Sequence, residues 1–203
     1  KNTTGYRLCA FLDGETPVEI FRRLIIGSEG TLAFVASVTF ETVELPAVTT
    51  LAWLHFPDIE SAVDPVPELV AAGATAVELM VAPALITAGW NMPGAPEYFR
   101  EIDPESAALL VEFGGPDDAA LDALEAKALE IVDEEQLILP PKFGRDEESI
   151  EINWKVREGL HGLIGKMRLP GTALIIEDVC VPPSRIAEAA VELRGMLAEH
   201  GFL

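Results

Sequence analysis

The stretch LIIGSEGTLAFVASVTF, residues 24–40, changes hydrophobic period abruptly across Gly27-Ser28-Glu29-Gly30, and no other feature constrains the fold as tightly. Ahead of the glycines, Ile20, Phe21, Leu24 and Ile25 recur at helical spacing. Thr16 suits an N-cap and Pro17 a first helical position, so a helix is expected to run to residue 26. Behind them, residues 31–45 are dominated by β-branched and aromatic types, which favours one long strand ended by Pro46. Glycine costs backbone entropy, so two of them three apart need a reason: a tight turn, or close approach of another group to the main chain. Helix, turn, strand is the wrong order for a dinucleotide fingerprint, and no Gly-Lys-Ser/Thr follows to make a P-loop. The residues leave both readings open. A run of unshielded backbone N–H groups, with Glu29 and Thr31 beside it, would suit a polar, flat or phosphate-bearing ligand.

A second pattern starts near residue 48. A strand is expected over 49–56, then a helix capped by Asp58, interrupted by Pro65 and Pro67 and stopped at Gly73. A strand over 75–81 follows, then a short helix from Pro83 and a loop rich in proline and glycine over 89–104. The pattern continues with a strand over 107–113 and an amphipathic helix over 116–134, with Leu121, Leu124, Ala128 and Ile131 on one side. Residues 136–139 complete it as a fourth strand. Strand–helix–strand–strand–helix–strand is the split βαβ, ferredoxin-like order. A helix over 147–166, a strand over 172–181 and a helix over 184–199 close the chain. The class is α+β, with a mostly antiparallel sheet carrying helices on one face.

With 49% hydrophobic residues in 203, the chain can bury a sizeable core. A net charge of −20 argues against nucleic acid, whose phosphates call for clustered Lys and Arg. Between residues 97 and 151 lie 17 of the 34 acidic residues against four basic ones, which reads as a solvated face or an acidic docking surface. No apolar run is long enough to cross a bilayer, and no signal peptide is visible. Cys9 and Cys180 form no metal or redox pattern, so a reducing cytoplasm is the expectation, with attachment to the inner face of a membrane as its variant. No histidine pair has metal-site spacing, so no metal site is expected within the chain. The chain opens on Lys1 and closes on Gly201-Phe202-Leu203, and it is expected to be a piece of a longer polypeptide.

KNTTGYRLCAFL, followed by LIIGSEGTLAFVASVTFETV, resembles the end of the flavin-binding domain in FAD-linked oxidases of the vanillyl-alcohol-oxidase type. That family includes D-lactate dehydrogenase, the glycolate oxidase flavin subunit, D-2-hydroxyglutarate dehydrogenase and alkyl-dihydroxyacetone-phosphate synthase. Its pattern is Lys-Asn-x-x-Gly-Tyr, then Gly-Ser-Glu-Gly-Thr-Leu-Gly and a strand. Ala33 stands here where the family usually has glycine. INWKVREGL and TALIIEDVCVPPSRI resemble the same family's C-terminal substrate, or cap, domain, while residues 47–145 match in element order only. The resemblance implies residues 1–46 as the tail of an FAD-binding domain and 47–203 as a truncated cap domain. Within the family, the resemblance points to the branch of large bacterial proteins which join this flavoprotein to an iron–sulfur module.

The resemblance implies that Gly27, Ser28, Glu29, Gly30, Thr31 and Leu32 contact FAD, with Ala33, Phe34 and Val35 adding backbone contacts. It implies Arg157, in Trp-x-x-Arg, as the group that holds the substrate carboxylate beside the flavin, with Trp154 orienting the helix. The residues alone, without the resemblance, would make Arg157 an ordinary surface side chain paired with Glu158 or Glu151. His161, one helical turn on, is either a substrate contact or a packed histidine. Lys1, Asn2 and Tyr6 lie in the matching upstream stretch as ligand contacts or as turn and packing residues. Lys166 and Arg168 offer a second positive site or helix-end charges, and Glu177-Asp178 either orients Arg157 or faces water. The implied activity is oxidation of a D-2-hydroxy acid to the 2-oxo acid by hydride transfer to FAD, with a protein or quinone as electron acceptor and a homodimer possible for the assembly. The family's phosphate-cradling loop and its catalytic or metal-ligating histidines would lie outside these residues. The chain by itself is therefore expected neither to retain FAD tightly nor to turn over substrate. The alternatives are a non-enzymatic ferredoxin-like binding or assembly module, and flavin chemistry like that of the ether-lipid synthase.

Overall fold

A computed structural model describes residues 5–132, 136–172 and 181–201. They fall into two compact units, one holding residues 5–44 with Val181 and Pro182, the other residues 45–132, 136–172 and 183–201. In the first unit a helical turn, α1 (Ala10–Asp13), precedes α2 (Pro17–Leu24). The Thr16 hydroxyl accepts from the Glu19 N–H while the Glu19 carboxylate accepts from the Thr16 N–H, a capping box that satisfies two otherwise orphaned donors. The backbone N–H groups of Glu15 and Thr16 hold the Glu19 carboxyl below its ordinary range. The helix stops at Leu24, slightly short of the expected residue 26.

The strand expected over 31–45 does not form. Residues 33–46 carry no strand, and Phe34, Phe40 and Val43 stand 93%, 76% and 86% exposed. Strand propensity measures the fit of a side chain to a pleated, half-buried surface, and this segment pairs with no described strand.

The second unit contains β1 (Val48–Phe56), α3 (Ile59–Val63), α4 (Val66–Ala71), β2 (Ala76–Val81) and α5 (Ala82–Asn91). A 3₁₀ turn over Glu97–Glu101 leads to β3 (Ala107–Gly115), α6 (Asp118–Val132) and α7 (Glu147–Met167). A second such turn, Pro183–Arg185, leads into α8 (Ile186–Glu199). Asp58 caps α3 by accepting from the Ser61 N–H at 2.7 Å, and the helix breaks before Pro65 as expected. Gly73 follows α4 with φ +103°, a backbone conformation that favours glycine.

The sheet is antiparallel in the order β1-β3-β2. Its middle strand is apolar on both sides: Ala107 through Val111 are all buried. Ala52, Leu54, Phe56, Leu109 and Val111 pack with Ala62, Leu69 and Ala128 from α3, α4 and α6. Leu51, Trp53, Ala108 and Leu110 pack with Leu85 of α5, Phe99, and Val156 and Leu160 of α7. Helices therefore cover both faces rather than one, because a strand without a polar side must be covered twice.

The expected fourth strand over 136–139 is replaced by an irregular segment along the free edge of β1. Ile138 donates its N–H to the His55 carbonyl at 2.9 Å, and Leu51 and Gly144 exchange two backbone bonds at 2.9 and 3.0 Å. Between those points Pro140 and Pro141 have no N–H to give, so a regular ladder cannot continue. Arg145 fastens the end of the segment to α6, bonding Glu125 at 2.9 Å, Asp122 at 2.6 Å and Asp118 at 3.3 Å. Part of the acidic run is thereby consumed in structure. The strand expected over 172–181 falls mainly on residues 173–180, outside the described residues.

Leu109→Ala in the middle strand is expected to cost about 3 kcal/mol, read as a lower urea midpoint at unchanged slope. Asp58→Ala should cost about 1 kcal/mol at neutral pH. The Ser61 backbone N–H holds the Asp58 carboxyl below its ordinary value, so this contribution is present above the unfolded-state pKa and lost as pH falls through the folded one. Denaturation of wild type and variant at a series of acidic pH values should show the two curves converging.

Candidate functional site

In the first unit the bend is a left-handed turn: Gly27, Glu29 and Gly30 have φ of +83°, +51° and +76°. Both glycines are thus required by backbone conformation. Ser28 is buried and anchors the turn, its hydroxyl donating to the Ile25 carbonyl at 2.9 Å. The Thr31 hydroxyl closes onto the Ser28 carbonyl at 2.6 Å, and the Tyr6 hydroxyl meets Thr31 Oγ1 at 2.8 Å. Tyr6 is therefore a turn-bracing residue, while Lys1 and Asn2 lie outside the described residues. Gly27, Glu29, Gly30, Thr31 and Leu32 are solvent-facing, and a Cβ added at Gly30 would meet nothing within 4 Å. The outer main chain of the bend is open to a flat ligand, so these residues fit a flavin laid against them. Ala33 is half-buried, and Phe34 and Val35 are exposed.

In the second unit α7 crosses the sheet. Asp146 caps it, accepting from the Ser149 N–H at 2.8 Å. Three successive contacts then land on the three strands. Trp53 of β1 donates its indole N–H to Asn153 Oδ1 at 2.6 Å. Trp154 donates to Glu112 of β3 at 2.9 Å, and Arg157 donates from Nη2 to Glu78 of β2 at 2.9 Å. Trp154 does orient the helix. Arg157 is an ion-paired residue, but its partner is Glu78, and one of the expected candidates, Glu151, pairs with Lys155. Its side chain remains 42% exposed, accessible to an acid from solvent. His161 is exposed one turn further along α7, which removes the packed-histidine reading. Lys166 and Arg168 are exposed at the helix end, and Glu177-Asp178 lies outside the described residues.

Glu78 and Glu112 escaped the sequence reading. The available signal was a carboxylate at an inward-alternating strand position, between Ala76 and Met80 in the case of Glu78. His55 lies in β1, within the strand expected over 49–56, and its hydrogen-bond partner is distant in sequence. His55 Nε2 lies 3.2 Å from the Tyr98 hydroxyl within an aromatic cluster that includes Trp53 and Phe99. Burial pushes the His55 pKa down to about 4 and the Tyr98 pKa up to about 12, so both are neutral at physiological pH. His55, Tyr98, Trp53, Leu139, Lys142 and Asn153 help to line a cavity of about 350 Å³. No cluster of His, Cys, Asp or Glu suited to a metal ion occurs among the described residues, and no described helix is long and apolar enough to cross a membrane.

Residues 45–203 match the family described as FAD linked oxidases, C-terminal domain, and the chain belongs to that family. It is 31% identical to the D-2-hydroxyglutarate dehydrogenase of Escherichia coli strain K12, over 98% of this chain and 20% of that protein. It is 27% identical to the D-2-hydroxyglutarate dehydrogenase of Haemophilus influenzae over the same shares. A probable mitochondrial D-lactate dehydrogenase of Danio rerio is 26% identical over 88% of this chain and 34% of its own. The chain thus spans about a fifth of the length of the D-2-hydroxyglutarate dehydrogenases it matches. Among solved structures, an alkyldihydroxyacetonephosphate synthase superposes with a TM-score of 0.51 at 16% identity, covering 73% of this chain and 28% of that one. That likeness is one of fold.

The buried neutral imidazole makes a pH prediction. Its folded pKa of about 4 lies below the ordinary 6.5, so between these values the unfolded chain binds the extra proton. Stability should fall as pH drops from 6.5 to 4, by roughly 3 kcal/mol from this residue. Urea unfolding across that range should show His55→Gln with a flatter dependence than wild type; parallel curves would contradict it.

Proposed function

We propose that these residues are the tail of an FAD-binding domain (1–46) and the cap domain (47–203) of a flavin-dependent oxidoreductase, one that oxidises a D-2-hydroxy acid to the 2-oxo acid. The observation that carries the reading is Arg157, a guanidinium presented to solvent from a helix pinned to the sheet at Asn153 and Trp154. A planar guanidinium binds a carboxylate through two parallel N–H···O bonds, and orientation of a small acid calls for such a fork on a rigid element. Relatives named as D-2-hydroxyglutarate and D-lactate dehydrogenases support the substrate class.

Bound FAD would supply the two-electron acceptor for the hydride leaving the substrate α-carbon. The main chain of Gly27, Ser28, Glu29, Gly30, Thr31 and Leu32, continued by Ala33, Phe34 and Val35, would hold the cofactor. Arg157 would bind the acid group, with Glu78 holding the guanidinium in place between turnovers. His161, one turn away, would stand at the same substrate. The hydroxyl proton would pass to a base outside the described residues, and the electrons to an acceptor protein or quinone.

The test is dye reduction by the full-length protein with D-2-hydroxyglutarate, D-lactate and glycolate. Activity with at least one is expected, and Arg157→Lys should lower kcat/KM about a hundredfold, because an ammonium keeps the charge but loses the fork. Failure to reduce dye with any of the acids, or an Arg157→Lys enzyme equal to wild type, would defeat the proposal.

A further inference from the structure

The cavity beside His55 is separate from the Arg157 region. The strand order is β1-β3-β2; the cavity lies at β1, while Arg157 is held over β2 by Glu78. Two strand spacings, about 10 Å, separate the edges. Its volume of about 350 Å³ suits a small molecule.

The polar groups of this cavity are arranged for an acceptor. His55 is 2% exposed and neutral, and its Nδ1 has no hydrogen-bond partner among the described residues. A proton on Nδ1 would be a buried donor with nothing to receive it, so the proton belongs on Nε2. Nε2–H then donates to the Tyr98 oxygen, and the Tyr98 proton is left to point away from His55. A phenol donor therefore borders a cavity that Lys142, the one cationic residue among its described lining, also lines. The described lining residues include no carboxylate, in a chain of net charge −20. The nearby Asp146 is occupied as the cap of α7. The Ser149 N–H, and more weakly Lys142, hold its carboxyl below the ordinary range. Trp53 and Leu139 give the remaining wall an apolar character.

We propose that this cavity binds a small carboxylic acid with an apolar body, the carboxylate on the Lys142 ammonium and Tyr98 hydroxyl and the hydrocarbon part against Trp53 and Leu139. The site does not depend on the assignment of Arg157.

Titration of the ¹⁵N-labelled chain with benzoate, and with benzamide as its neutral isostere, tests this by amide chemical shifts. Saturable benzoate shifts are expected at Lys142, Gly144 and Asn153, with benzamide about tenfold weaker. Lys142→Gln should erase the preference for the anion. Tyr98→Phe, which removes only the hydroxyl, should weaken benzoate about tenfold, and Arg157→Lys should leave it unchanged. No saturable shift up to about 10 mM, equal response to the two probes, or loss of the shifts in Arg157→Lys would overturn the proposal.

Discussion

The middle strand, apolar on both faces, is the constraint from which the second unit follows. Ala107 through Val111 cannot face water on either side, so one helical layer cannot complete the fold. α3, α4 and α6 cover one face; α5 and α7 cover the other. The path of α7 is then set by polar side chains rising from the strands beneath it. Trp53, Glu112 and Glu78, one from each strand, meet Asn153, Trp154 and Arg157 in turn.

This arrangement divides the covered face into two ends with different chemistry. At β2 the sheet supplies a carboxylate, and the helix answers with a guanidinium that still reaches solvent. At β1 it supplies a neutral imidazole packed among aromatics, next to a cavity with a lysine and a phenol. A surface ion pair such as Arg157–Glu78 contributes little to stability, so its interest lies in where it holds the guanidinium. The acidic residues that dominate the middle of the sequence divide as well. Some fasten Arg145 to α6, while others remain solvated.

Local rules read much of this from sequence alone. Thr16 and Asp58 as caps, the break at Pro65 and the alternation of elements through α6 needed only short-range chemistry, and each stands as read. The failures share a cause: they concern partners distant in sequence. Residues 31–45 have strand composition but no described strand to pair with, and 136–139 run into two prolines at the point where pairing with β1 would have to continue. Helices lie on both faces, not on one as expected, because the apolar run of β3 is unbroken from Ala107 to Val111. Within the candidate site, Gly27-Ser28-Glu29-Gly30 and Trp-x-x-Arg were visible because they are contiguous. Glu78, 79 residues from Arg157, and Tyr98, 43 from His55, were not, because register and helix crossing bring them together.

The central claim is that the acid group of a 2-hydroxy or 2-oxo acid rests on Arg157. A crystal structure of the full-length protein with a 2-oxo acid bound tests it most directly. The account predicts the carboxylate on the Arg157 guanidinium through two parallel hydrogen bonds. A carboxylate bound elsewhere, with Arg157 engaged only by Glu78, would contradict it.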